Sequence, residues 1–80
     1  MKKIAIIDDF EESCQLMVEV LSPYFQCEYL CDAEKALNFL YKYQPDLILL
    51  DYKMPFTNGI QLCKIIRDTK GRLLIATFAS

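Results

Sequence analysis

The sequence predicts an α/β fold, a doubly wound parallel sheet with helices on both faces. Three observations carry that expectation. Short apolar runs alternate with stretches of helical periodicity in the order strand, helix, strand, helix, strand, helix, strand. Helical crossovers between successive strands imply a parallel sheet. The run Leu47-Ile48-Leu49-Leu50 contains nothing polar, as expected of a strand covered on both faces. Two apolar runs also stop on aspartate, the first on Asp8-Asp9 and the third on Asp51. Strand carboxyl ends are where open α/β sheets form a ligand crevice.

The elements follow in order. Lys2 and Lys3 lead into Ile4-Ala5-Ile6-Ile7, a buried strand rich in β-branched residues. From Phe10 to Ser22 the pattern turns helical, with Cys14, Met17, Val18 and Leu21 at i, i+3, i+4 and i+7. Glu11 and Glu12 suit the positive end of that helix, and Pro23 ends it. Gln26 to Leu30 alternates weakly and reads as an edge-type strand. Asp32 is a good N-cap for a second helix, whose apolar face is Ala33, Ala36, Leu37 and Leu40 and which runs to Tyr43. Gln44-Pro45 stops it, and the central strand Leu47 to Leu50 follows. Tyr52 to Gly59, with Pro55, Asn58 and Gly59, is turn chemistry. A third helix spans Ile60 to about Asp68 with Leu62, Cys63 and Ile66 inward, closed by Lys70-Gly71. Leu73 to Thr77 reads as a fourth strand.

Composition sets limits. Eighty residues make one domain, 1–80, with a thin core. With 54% hydrophobic and 25% charged residues the chain has an ordinary globular balance. A net charge of -2 without a basic cluster argues against nucleic-acid binding by this segment. No apolar run reaches the roughly 18 residues of a membrane span, and no signal-peptide pattern is present. The four cysteines, Cys14, Cys27, Cys31 and Cys63, include no C-x-x-C pair and sit within apolar patterns. They read as reduced thiols of a cytoplasmic protein, with spacing unsuited to zinc. There is no histidine, which excludes Ser-His and Cys-His catalysis, histidine-ligated metals and a phosphohistidine carrier.

Taken alone, Asp51 would read as a solvated strand end, and Asp8-Asp9 as a solvated turn with Asp9 capping the next helix. Together they say more. If the first and third strands are neighbours, Asp8, Asp9 and Asp51 share one pocket. Three close carboxylates repel, their titrations couple, and a divalent cation relieves the repulsion. Oxygen-only ligation suits Mg²⁺. A carboxylate beside the ion is a nucleophile toward phosphorus that needs no general base, being already ionised at neutral pH. Thr77, at the end of the neighbouring strand, is placed to hydrogen-bond a phosphoryl oxygen.

Ile-Ile-Asp8-Asp9, the run Leu-Ile-Leu-Leu-Asp51-Tyr-Lys-Met-Pro55, Asn58-Gly59, the Asp32-Ala33-Glu34-Lys35-Ala36-Leu37 helix start and Thr77 together resemble the receiver domain of two-component response regulators. The resemblance covers the whole chain. It implies a flavodoxin-like fold of strand order 2-1-3-4, with the fifth strand and last two helices of the family's pattern absent and residues 1–80 a partial receiver domain. It further implies that Asp51 is the phosphoacceptor and that Asp9, Asp8 and Asp51 hold Mg²⁺ with the backbone carbonyl of Lys53, Asp9 directly and Asp8 partly through water. Thr77 is then the switch hydroxyl, with Ser80 as the alternative register. The implied phosphodonor is a sensor histidine kinase or phosphotransfer protein, and the chain is an acceptor at most, not a turnover enzyme.

The sequence departs from the family's pattern at three points. The lysine of the fifth strand is missing, Phe78 follows Thr77 where a small residue is usual, and the fourth strand is expected to present an open apolar edge. Such an edge invites a homodimer or an element swap, unless the sequence is a fragment of a longer protein. One alternative reading is a receiver-like interaction module without phosphotransfer. Another is a phosphohydrolase of the haloacid dehalogenase type, which Lys53 opposes by standing where that family has a second aspartate. A redox protein built on Cys27 and Cys31 is the last.

Overall fold

The computed structural model describes residues 1–51, 59–70 and 74–78. The expected positions Lys53, Pro55, Asn58 and Ser80 lie outside the described residues. The elements run β1 (Lys3–Ile7), α1 (Glu11–Leu21), β2 (Gln26–Leu30), a short 3-10 turn (Ala33–Lys35), α2 (Ala36–Tyr43), β3 (Leu47–Asp51), α3 (Gly59–Lys70) and β4 (Leu74–Phe78). The strands form one parallel sheet in the order β2-β1-β3-β4. Both the fold class and the strand order are those expected.

Each apolar run pairs in register, Ile4 with Leu47 through Ile7 with Leu50, and Leu47 with Leu74 through Asp51 with Phe78. Side chains along a strand alternate between faces, and the sheet divides its core accordingly. On one face Ala5, Ile7, Ile48 and Leu50 pack with Ala36 and Leu40 of α2 and Leu62 and Ile66 of α3. On the other face Ile4, Ile6, Leu47 and Leu49 meet α1 through Cys14, Met17, Val18 and Leu21. The helical spacing read for α1 and α3 therefore faces the sheet. The two faces are not equally covered. Ile48 and Leu50, under two helices, are fully buried, whereas Leu47 and Leu49, on the side of α1, are only half-buried.

Several boundaries and contacts differ from expectation for local reasons. The Asp32 carboxylate does cap, accepting from the Glu34 amide at 3.0 Å, but the turn it caps is 3-10, and the α-helix proper starts at Ala36. Leu37, expected on the inner face of α2, is exposed, while Phe39 and Tyr43 pack against the core. Gln44 ends α2 in the left-handed conformation (φ 52°) and donates its amide to the Leu40 carbonyl, which frees the chain to turn before Pro45. Helix α3 extends beyond the expected span at both ends, β3 includes Asp51, and β4 lies one residue later than expected.

The amino ends of β1 and β3 are clamped. The Lys3 amide donates to the Asp46 carboxylate at 2.8 Å, and the Asp46 amide donates to the Lys3 carbonyl at 2.8 Å. β2 is tied at the same end, the Gln26 amide donating to the Lys2 carbonyl at 2.9 Å and the Tyr43 hydroxyl to the Gln26 carbonyl at 2.8 Å. These contacts hold the registers that determine what meets at the opposite, carboxyl end.

Candidate functional site: an acidic pocket at the strand ends

After β1 the chain crosses to β2 on one side and then returns to β3 on the other, so the crossovers reverse direction between β1 and β3. A crevice opens at such a switch point, and here it is lined with acid. Asp8 follows Ile7, Asp51 is the last residue of β3, and one step beyond the Ile7–Leu50 pair sets them side by side. Carboxylate oxygens of Asp8, Asp9 and Asp51 lie within 4.8 Å of one another. Asp8 and Asp51 are fully buried, and Asp9 is exposed.

Backbone geometry positions Asp8. Its amide donates to the Leu30 carbonyl at 3.2 Å, which extends the β1–β2 ladder past the strand. One carboxylate oxygen, Oδ1, accepts from the Phe10 amide at 3.1 Å in an Asx-type turn that leads into α1. Capping by Asp9 was expected, but Asp8 is the residue that turns back on the chain, and Phe10, at the N-cap position, makes no side-chain cap. The second oxygen, Oδ2, is buried without a hydrogen-bond donor. Burial, reinforced by the Asp51 and Asp9 carboxylates, pushes Asp8 up to about 6, against the partial relief of the Phe10 amide.

A buried carboxylate oxygen that lacks a donor and faces two other carboxylates is a costly arrangement by itself. A hard, oxygen-preferring divalent cation is the partner that such a donor set fits, since it needs no nitrogen or sulfur ligand. The three acids could therefore hold a metal ion, with Asp51 the last residue of β3.

Thr77 is set differently from the acids. The β3–β4 register pairs it with Leu50, one step short of Asp51, and it is exposed; half-buried Phe78 is the residue opposite Asp51. One contact was missed from the sequence. The Cys14 thiol donates to the Asp8 carbonyl at 3.4 Å, beneath the pocket. The spacing that marked Cys14 as a core residue was right about its burial, and nothing in the sequence signalled a polar partner.

A parallel α/β sheet with an acidic crevice at its switch point defines a class of domain whose candidate site lies at the strand carboxyl ends. The chain matches the response regulator receiver domain model over residues 4–80, and it belongs to that family. Receiver domains are signalling modules of two-component systems rather than turnover enzymes. The chain is 31% identical over 71 residues to the DNA-binding response regulator MtrA of Mycolicibacterium smegmatis, a match covering 88% of this chain and 31% of MtrA. It thus spans about a third of the length of the curated relatives it first matches. Among solved structures it is similar to the response regulator TrrA in complex with the histidine kinase ThkA (27% identity, TM-score 0.90, covering all of this chain and 70% of the other). The receiver domain of the Francisella response regulator 1452 shares the fold at 22% identity and TM-score 0.88, covering 99% of this chain and 66% of the other. Among the described residues no helix is long and apolar enough to cross a membrane.

Proposed function

We propose that residues 1–80 act as one phosphoacceptor unit in which the Asp51 carboxylate receives a phosphoryl group from a phosphohistidine. The observation that carries this reading is the close set of buried Asp8 and Asp51 with exposed Asp9, with its donorless Asp8 oxygen, in a chain of the receiver family. An Asp51 oxygen forms the new bond to phosphorus, the phosphorus–nitrogen bond to the donor imidazole breaks, and the imidazole leaves with its electron pair and takes up a proton. Asp51 needs no base for this step because its nucleophile is the carboxylate itself. Asp8 and Asp9, with the Lys53 carbonyl, would hold Mg²⁺, which when bound supplies positive charge to the phosphoryl oxygens. Thr77 is the hydroxyl assigned to follow the phosphoryl group, reached by reorientation from its exposed position on β4. A kinase partner is supported by the complex that TrrA, a similar protein, makes with ThkA. The setting of such a relay is the cytoplasm.

The test is intact mass after incubation with acetyl phosphate, with and without Mg²⁺, on the wild type and Asp51→Asn. A single phosphoryl adduct that requires both Mg²⁺ and Asp51 is expected. An adduct that persists in Asp51→Asn, or none in a folded wild type, refutes the assignment.

A second reading is favoured by the β4 edge. Among the described residues β4 pairs only with β3, and Leu74 is 66% exposed on it. Unpaired strand edges of this kind recruit other strands, so the chain is proposed to self-associate, as a homodimer or by element exchange, through β4. This mode of action does not require phosphotransfer.

A further inference from the structure

The sheet has two edges, and they differ. β2 exposes Gln26 and Glu28, and a charge on an edge strand opposes pairing with another chain. β4 carries no charged residue, and among the described residues it pairs only with β3. Its register with β3 puts Leu74, Ala76 and Phe78 on the α1 side of the sheet with Leu47 and Leu49, and Ile75 and Thr77 on the other side. On the α1 side a cavity of about 340 Å³ lies at the amino end of the strands, where Leu74, Leu47, Ile4 and Phe25 line it together with Lys2, Lys3 and Asp46. Charge is divided between the two ends of the sheet. Asp8, Asp9 and Asp51 share the carboxyl end with Glu11 and Glu12, in the first turn of α1. Lys2 and Lys3 stand at the amino end, joined by Lys42 in the last turn of α2, and the Asp46 carboxylate beside them accepts from the Lys3 amide.

We propose that β4 pairs with β4 of a second copy, antiparallel, about a two-fold axis that passes through Ala76 normal to the sheet. The inference rests on the self-association reading given above and names the form it takes. Charge selects the direction. Antiparallel pairing sets the lysine end of each copy beside the acidic end of the other, whereas parallel pairing sets acid beside acid. Overlap selects the register. Centring on Ala76 pairs all five residues of β4, Leu74 with Phe78, Ile75 with Thr77 and Ala76 with its own copy. At a two-fold axis a residue meets itself, and Ala76 is the smallest side chain of the strand. Residues directly opposite one another on a shared face bring their Cβ atoms to about 4.5–5.5 Å. The Phe78 ring of each copy therefore lies against Leu74 of the other, beside the cavity that Leu74 lines. The pairing covers Leu74, the most exposed large apolar residue of the strand, and joins the two sheets into one with both α1 helices on the same face.

The experiment uses the full chain. An equal mixture of isotope-labelled and unlabelled protein is studied by isotope-filtered NOE spectroscopy, at a concentration where light scattering shows the dimer. Contacts between copies are expected from the Phe78 ring to the Leu74 methyls and from Ala76 to Ala76. In sedimentation equilibrium Phe78→Ala is expected to weaken the dimer roughly tenfold and Lys2→Glu severalfold, and added salt to weaken the wild-type dimer. A dimer whose contacts between copies avoid Leu74 and Phe78, or whose affinity is indifferent to both salt and Lys2→Glu, overturns this arrangement and leaves self-association standing. A chain that stays monomeric at every concentration overturns both. The wild-type NOE contacts decide the matter alone if a variant fails to fold, and none of these results depends on Asp51 accepting a phosphoryl group.

Discussion

Asp8 and Asp51, both fully buried and carried by neighbouring parallel strands, present carboxylate oxygens within 4.8 Å of each other with the exposed Asp9 beside them. That proximity destabilises the fold whenever all the carboxylates are ionised, and a cation offsets it.

The first prediction concerns pH. Asp8 binds its proton more tightly in the folded chain (about 6) than its ordinary value of 3.8. The folded state therefore holds more protons between these values, and its stability falls as pH rises through them. In cation-free buffer, thermal unfolding at pH 5 is expected to show a contribution from Asp8 on the order of 1 kcal/mol greater than at pH 7.5. Asp8→Asn should flatten that dependence, and Mg²⁺ at pH 7.5 should raise the wild-type Tm. An unchanged pH profile in Asp8→Asn would contradict this account.

Thr77 stands outside the cluster of acids. Titration of Thr77→Ala with Mg²⁺ should reproduce the wild-type affinity to within a factor of two, whereas Asp8→Asn should bind severalfold more weakly. Equal weakening of both variants would mean that the hydroxyl belongs to the ion's own surroundings.

In the core, Leu40 and Leu37 separate two helix positions that look alike in sequence. Leu40 is fully buried, and Leu37 is 38% exposed. Leu40→Ala is expected to cost about 2–5 kcal/mol in denaturant unfolding, a large share of the stability of a domain this small. Leu37→Ala should stay within about 0.5 kcal/mol. Comparable losses would place Leu37 in the core after all.

At the sheet edge, Leu74→Lys puts a charge on the exposed strand, a common natural device against edge pairing. Multi-angle light scattering is expected to show the wild type self-associating with concentration and Leu74→Lys shifted toward monomer. A wild type that stays monomeric throughout would remove the edge from consideration as an interface.

Much of this architecture was legible because two independent patterns agreed. Period-2 and period-3.6 spacings located the elements, and abrupt stops on Asp8-Asp9 and Asp51 marked two strand ends on the same side of the sheet. What sequence left hidden was set by tertiary detail. Leu37 satisfies the helical spacing, but the first turn of its helix is 3-10, which rotates the face. Asp9 has the chemistry of a cap, yet Asp8 turns back on the Phe10 amide. Thr77 is read from resemblance, whereas its register opposite Leu50 depends on where β4 begins.

The clamp between Lys3 and Asp46 has a consequence at the far end of the strands. Because alternate residues face opposite sides, sliding β3 by one position would turn Asp51 away from Asp8. No local segment contains the pocket, which forms only after strands distant in sequence have closed in the correct alignment. Such non-local pairing is slow relative to helix formation. A half-folded or misaligned chain thus has no assembled set of three acids to offer a cation or a phosphodonor. Assembly of the acidic set therefore arrives in the same step as the finished sheet.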